Sequence, residues 1–118
     1  MPLAEPTSGG PAHPDHLHDE QVLAAAASFA MLAEPVRLRI LWALRDGEQD
    51  VTALAAAADV SASGASQHLA KLRLAGLVST RKDGNHRHYR LRGGHVGNLL
   101  TEALFHADHQ VTGLPTHD

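Results

Sequence analysis

SASGASQHLAKLRLAGLVSTRKDGNHRHYRLR, residues 61–92, is the stretch that decides the fold. Ser61 or Ser63 can cap a helix, SGASQHLAKLRLAG, that ends at Gly76 and carries Leu69, Leu72 and Ala75 as its inner stripe. VSTRKD and HRHYRLR then alternate in character on either side of Asp83-Gly84-Asn85, and Asp-Gly is a strong hairpin-turn signal. Val78, Thr80, Tyr89 and Leu91 are expected on the inner face of this hairpin and the arginines on the outer. Just upstream, Asp50-Val51-Thr52 opens a short helix, TALAAAAD, and Val60-Ser61 makes a turn. Two short helices joined by a tight turn, the second beginning with small polar residues, form a helix-turn-helix signature. A basic β-hairpin directly after it makes the winged version. The fold class is mainly α with a β-hairpin wing.

Working outward, DEQVLAAAASFAML from Asp19 places two acids at the positive end of a helix dipole. Val22, Leu23, Ala26, Phe29, Ala30 and Leu32 give it an apolar stripe. Pro35 breaks that helix and suits the first turn of a second, VRLRILWALRDG, in which Val36, Ile40, Leu41 and Leu44 face inward and Gly47 is the stop. After Gly93-Gly94 a last helix runs to about Gln110. Residues 1–18 hold four of the six prolines and few apolar groups, and are expected to be a disordered tail. The folded domain is then 19–110, with 111–118 a flexible tail.

At 118 residues the chain is one small domain, alanine-rich and only 3% aromatic, which favours thin, closely packed helices. No run of eighteen apolar residues spans a membrane, and no secretory signal opens the chain. Zero cysteines remove disulfides, thiolate metal sites and cysteine nucleophiles, and the default compartment is cytoplasm. Net charge is −3, yet seven Lys/Arg against the single acid Asp83 give residues 61–92 a charge of +6, leaving −9 on the remainder. A basic module in an acidic protein is the electrostatic footprint of a nucleic-acid partner.

The last helix carries HVGNLLTEALFHADH, residues 95–109. On a helical wheel His95 and His106 differ by about 20°, and His109 lies about 40° to the other side of His95. Along the axis, however, His95 and His106 are roughly 16 Å apart, far beyond the reach of one ion bound at about 2 Å. An antiparallel second copy sets His95 of one chain beside His106 and His109 of the other. Three imidazoles are a borderline donor set suited to Ni(II), Co(II), Zn(II) or Cu(II).

LAEPVRLRILWAL, the recognition stretch Ser66-Gln-His-Leu-Ala-Lys-Leu-Arg-Leu-Ala-Gly-Leu-Val78 and the helix from His95 to His109 resemble the ArsR/SmtB family of metal-responsive transcriptional repressors, over about residues 20–110. The resemblance implies a winged-helix homodimer joined through its first and last helices, releasing its DNA operator when metal binds. The family's Cys-x-Cys sensing site is absent, because VTALAAAA has no sulfur. Its other site follows D-x-H-x10-H-x2-[EH]. Here His95, His106 and His109 match, and Gly93 stands where the aspartate would be. Histidine in the last position is similar to the nickel/cobalt-sensing branch, which recruits further ligands from the termini. His117, or His13, His16 or His18, fits that habit. Asp108 matches a carboxylate position of one cobalt/nickel subgroup but points away from His95 on the wheel.

In a winged helix the second helix of the motif enters the major groove, putting Ser63, Ala65, Ser66, Gln67 and His68 near base edges. Gln67 is the best candidate for specific readout, since a carboxamide pairs with adenine bidentately. Ser61, Lys71 and Arg73 would hold phosphates, and Arg81, Lys82, Arg87 and His88 the backbone or minor groove. Arg73 is equally suited to an ion pair or packing role, and His68 to helix packing. No acid stands beside the histidines as a general base, so an enzyme is not expected. Two alternatives remain: a regulator with weak or no metal control, acting constitutively or with a protein co-regulator, and a nickel-storage or chaperone protein.

Overall fold

The computed structural model describes residues 16–112. Helix α1 spans Asp19–Leu32, and its first turn is closed by Gln21, whose Oε1 accepts from the His18 N–H at 3.1 Å. Pro35 has no N–H to continue it. Glu34 instead caps α2 (Pro35–Ala43), its Oε1 accepting from the Arg37 N–H at 2.7 Å. The helix ends before Gly47, because Leu44 to Gly47 form a tight turn with Gly47 at φ +147°.

A two-residue strand, β1 (Gln49–Asp50), follows and was not expected: two residues carry no alternation to read. Asp50 then caps α3 (Val51–Ala58), accepting from the Ala53 N–H at 2.9 Å. Ser61, not Ser63, caps α4 (Ala62–Leu74), its Oγ accepting from the Gly64 N–H at 2.9 Å. Gly76, at φ +79°, turns the chain out of α4 in a conformation that L side chains adopt at a cost.

Strands β2 (Val78–Asp83) and β3 (His86–Leu91) form the expected hairpin, from Val78 opposite Leu91 to Asp83 opposite His86. The edge strand β1 pairs with β3, so the sheet order is β1-β3-β2 and the wing is anchored to the start of α3. Helix α5 spans Gly94–Thr112, two residues beyond the expected end.

Ile40, Leu41, Leu44, Leu54, Leu69, Leu72, Val78 and Leu100 are fully buried, so α2, α3, α4, β2 and α5 share one core. Among the described residues no polar or charged side chain is buried. The α4 stripe is Ala65, Leu69 and Leu72; Ala75, expected with them, is exposed where the helix ends. Of the expected α1 stripe only Leu32 is buried, because among the described residues α1 packs chiefly on α2. Leu69→Ala should lower unfolding stability by about 2–5 kcal/mol, read from urea denaturation at neutral pH.

Candidate nucleic-acid interface and metal site

Burying Ala65, Leu69 and Leu72 turns the opposite face of α4 to solvent. At 100° per residue that face carries Ser63, Ser66, Gln67, Ala70, Lys71 and Leu74, all exposed. Ala70 and Leu74, the latter 85% exposed, were not singled out in the sequence, although each is one or two turns from Gln67. Apolar groups there suit contact with a thymine methyl. Lys71 and Arg73 stand exposed in the last turn.

Two expected base-edge residues do not reach this face. Ala65 has 0% exposure and lies in the core, so it contacts no base. His68 is half-buried, with Nδ1 at 3.4 Å from Arg37 Nη1 and 4.0 Å from Glu34 Oε1. It thus lies toward Arg37 and Glu34 of the α2 start, away from the exposed face of α4. The N–H of Arg37 donated to the Glu34 carboxylate, with the Arg37 charge nearby, holds that carboxyl below its usual range.

The wing has two faces set by its register. Val78, Thr80 and Lys82 share one face with Arg87, Tyr89 and Leu91, since their cross-strand partners alternate. Arg87 therefore lies on the inner-face parity, not with the outer arginines. It projects at the exposed tip beside Lys82, its Nη1 donating to Thr80 Oγ1 at 3.2 Å. On the other face Arg90 Nε donates to Ser79 Oγ at 3.0 Å.

Arg81 is engaged within the chain. Its Nε and Nη2 donate to the Glu48 carboxylate, the shortest contact being 2.8 Å. This pair ties β2 to the turn before β1 and removes Arg81 from the freely available cations. His88 is half-buried, its Nε2 3.8 Å from Asp83 Oδ2, so it too faces a carboxylate of its own chain. Lys82 and Arg87 are thus the better placed wing cations.

On α5, His95 and His106 are exposed and His109 is half-buried. The His109 ring is tilted against Phe105 at 4.9 Å, and His106 Nε2 lies 3.4 Å from Gln110 Nε2. No three His, Asp or Glu side chains of one chain gather around a common point among the described residues. That agrees with the axial separation of His95 from the other two, which a single helix cannot close. Phe29, Val22 and Leu23 on α1 and Leu99, Phe105 and Val111 on α5 are exposed apolar groups of the same two helices. Phe29, Leu32, Leu38, Leu99 and Ala103 line an apolar hollow of about 180 Å³ between them.

The position before the histidines is itself informative. Gly93 has φ +80°, with open space where a Cβ would stand. A carboxylate could be accommodated there sterically, at the backbone cost of a left-handed residue. His16 and His18 precede α1 with their rings 6.0 Å apart. His13 and His117 lie outside the described residues.

A helix-turn-helix domain family matches residues 32–81. The chain is 46% identical over 104 residues to the HTH-type transcriptional regulator KmtR of Mycobacterium tuberculosis, covering 88% of this chain and 80% of that protein. It is 42% identical over 97 residues to the regulator NmtR of the same organism, covering 81% of each. Among solved structures it is similar to the homodimeric winged helix-turn-helix DNA-binding domain of a possible ArsR-family regulator from Mycobacterium bovis. There the TM-score is 0.72 at 30% identity, over 89% of this chain and 100% of that one.

Arg81 holds the Glu48 carboxyl below its ordinary value of 4.5, chiefly through their hydrogen bond. A depressed folded value means the pair contributes stability above 4.5 and loses it as pH falls through the lower folded value. Glu48→Gln should therefore shift the urea midpoint downward slightly at pH 7, with the difference from wild type closing in acid.

Proposed function

This chain belongs to the ArsR/SmtB family of helix-turn-helix transcriptional regulators, and from that premise we propose that it is a homodimeric repressor whose operator affinity is set by a transition metal. It is a regulator and not an enzyme. The observation that carries the reading is on α5, where His95 and His106 are exposed and His109 half-buried on a helix that also leaves Leu99, Phe105 and Val111 uncovered.

The exposed apolar faces of α1 and α5 support dimerisation through these two helices. In an antiparallel pairing His95 of one protomer and His106 and His109 of the other would hold Ni(II) or Co(II), with Zn(II) also compatible with the donor set. His16 or His18 near the start of α1, and His13 or His117, are candidates to complete the shell. An ion held by these residues would supply a cross-link between protomers. The residues then set the relative orientation of the two α4 helices, which must match half-sites one DNA turn apart, about 34–36 Å. Derepression by metal and a cytoplasmic location go with this reading. Double-stranded DNA and a second copy of the chain are the partners it needs.

Gly93 favours a second reading, a family regulator with weak metal control that acts constitutively or with a protein co-regulator. No carboxylate side chain exists at 93, and its backbone conformation is one that glycine prefers.

Two measurements test the proposal. His95→Ala and His106→Ala should each abolish tight Ni(II) or Co(II) binding in calorimetric titration, and unchanged isotherms in both would overturn the metal site. Adding the metal should weaken binding to a duplex selected by the wild-type protein from a random pool, at fixed salt. For the DNA face, Arg87→Ala should weaken binding to selected and scrambled duplexes alike and reduce the salt slope by about 1. A loss confined to the selected duplex would contradict a phosphate role.

A further inference from the structure

Arg37 sits at a joint of three helices and uses every part of its length there. Its backbone N–H donates to Glu34 Oε1 at 2.7 Å and so closes the first turn of α2. Its Nε donates at 2.7 Å to the Met31 carbonyl, in the last turn of α1, where carbonyls have no partner within the helix. Its Nη1 reaches 3.4 Å from Nδ1 of His68 on α4. A guanidinium has donors only, so this last contact closes when Nδ1 accepts. One side chain therefore ties the end of α1 to the middle of α4.

The rest of the α4 packing cannot do the same. Leu69 and Leu72 hold the helix against the core through apolar contact, which is non-directional and tolerates roll about the axis. A planar guanidinium fixed at one end by a backbone carbonyl imposes direction. His68 is the neighbour of Gln67, whose side chain is the exposed carboxamide of the reading face. A roll of α4 that moves His68 moves Gln67 with it.

We propose that Arg37 is a positioning residue for DNA reading: by clamping the Met31 carbonyl to His68 it sets the angle at which α4 presents Gln67, and passes the placement of α1 to α4. This rests on the reading of α4 as the DNA-contacting helix. Arg37 itself is half-buried and lies outside the exposed face of α4, so its effect is on the geometry of specific contacts and not on phosphate attraction.

The test uses the full chain and fluorescence anisotropy on two duplexes at fixed salt, one selected by the wild-type protein from a random pool and one scrambled. Arg37→Met keeps the apolar stem, and Arg37→Lys keeps the charge without the fork. His68→Leu removes the acceptor, while His68→Asn keeps one near the Nδ1 position. Arg37→Met, Arg37→Lys and His68→Leu should each weaken the selected duplex about tenfold, the size expected for coupled residues in contact. The scrambled duplex should be unaffected. The Arg37→Met/His68→Leu double variant should be no weaker than either single one, and His68→Asn should stay within about twofold of wild type.

Equal losses on both duplexes, additive losses in the double variant, or wild-type affinity in all variants would overturn the proposal. Should Arg37→Met fail to fold, Arg37→Lys and His68→Leu against His68→Asn carry the same comparison. If the wild-type chain selects no duplex, the DNA reading falls and this inference with it. If it selects one and the variants retain it, only the inference falls.

Discussion

The seating of α4 on the core, through Ala65, Leu69 and Leu72 at zero exposure, is the constraint on which the other features depend. Leu69 and Leu72 share one continuous core with Ile40, Leu41, Leu54 and Val78, so α2, α3 and β2 are all positioned relative to α4. Because a helix has two opposed faces, burying that stripe obliges Ser63, Ser66, Gln67, Ala70 and Leu74 to face outward. The exposed polar face is a consequence of apolar burial, which is far larger in energy than any of the surface polar contacts.

The wing is held by backbone pairing and by one ion pair. The short β1 strand donates its edge to β3 at Gln49 and Asp50, and Glu48 just before it takes the Arg81 guanidinium. Both features spring from one turn between α2 and α3, so the hairpin is braced at its base and free at its tip. Lys82 and Arg87 are left there with no acidic partner among the ion pairs of the described residues. The cost of this bracing is one cation. Arg81 contributes to the basic count of residues 61–92 but spends its charge inside the molecule.

Helices α1 and α5 tell a complementary story. Each has one side on α2 or the core and one apolar side facing solvent, an arrangement that a single copy leaves unfinished. The three histidines of α5 share a face but not a level on the axis, so one chain has the donors without the site. Membership of a family with homodimeric structural relatives is consistent with both observations. The Arg37 contacts add a route by which a change at α1 would be felt at α4.

Much of this was legible in the sequence, above all in residues 61–92 and 95–109. Helix starts were written in side-chain chemistry, as at Pro35, Asp50 and Ser61, and Asp83-Gly84 marked the hairpin, because caps and turns are local interactions between neighbours in sequence. The equal facing of His95, His106 and His109 was likewise a matter of helical period. What only the tertiary structure decided concerns residues distant in the chain. Ala65 and His68 sit inside the expected reading stretch, and only tertiary packing showed that one is core and the other beside Arg37. Arg81 counted as a wing cation until Glu48, thirty-three positions away, was brought to its side. Strand β1 carried no pattern, since two residues have no period and exist as a strand only because β3 offers them a partner. Local chemistry reports which elements form; which face each one shows is settled by long-range contact.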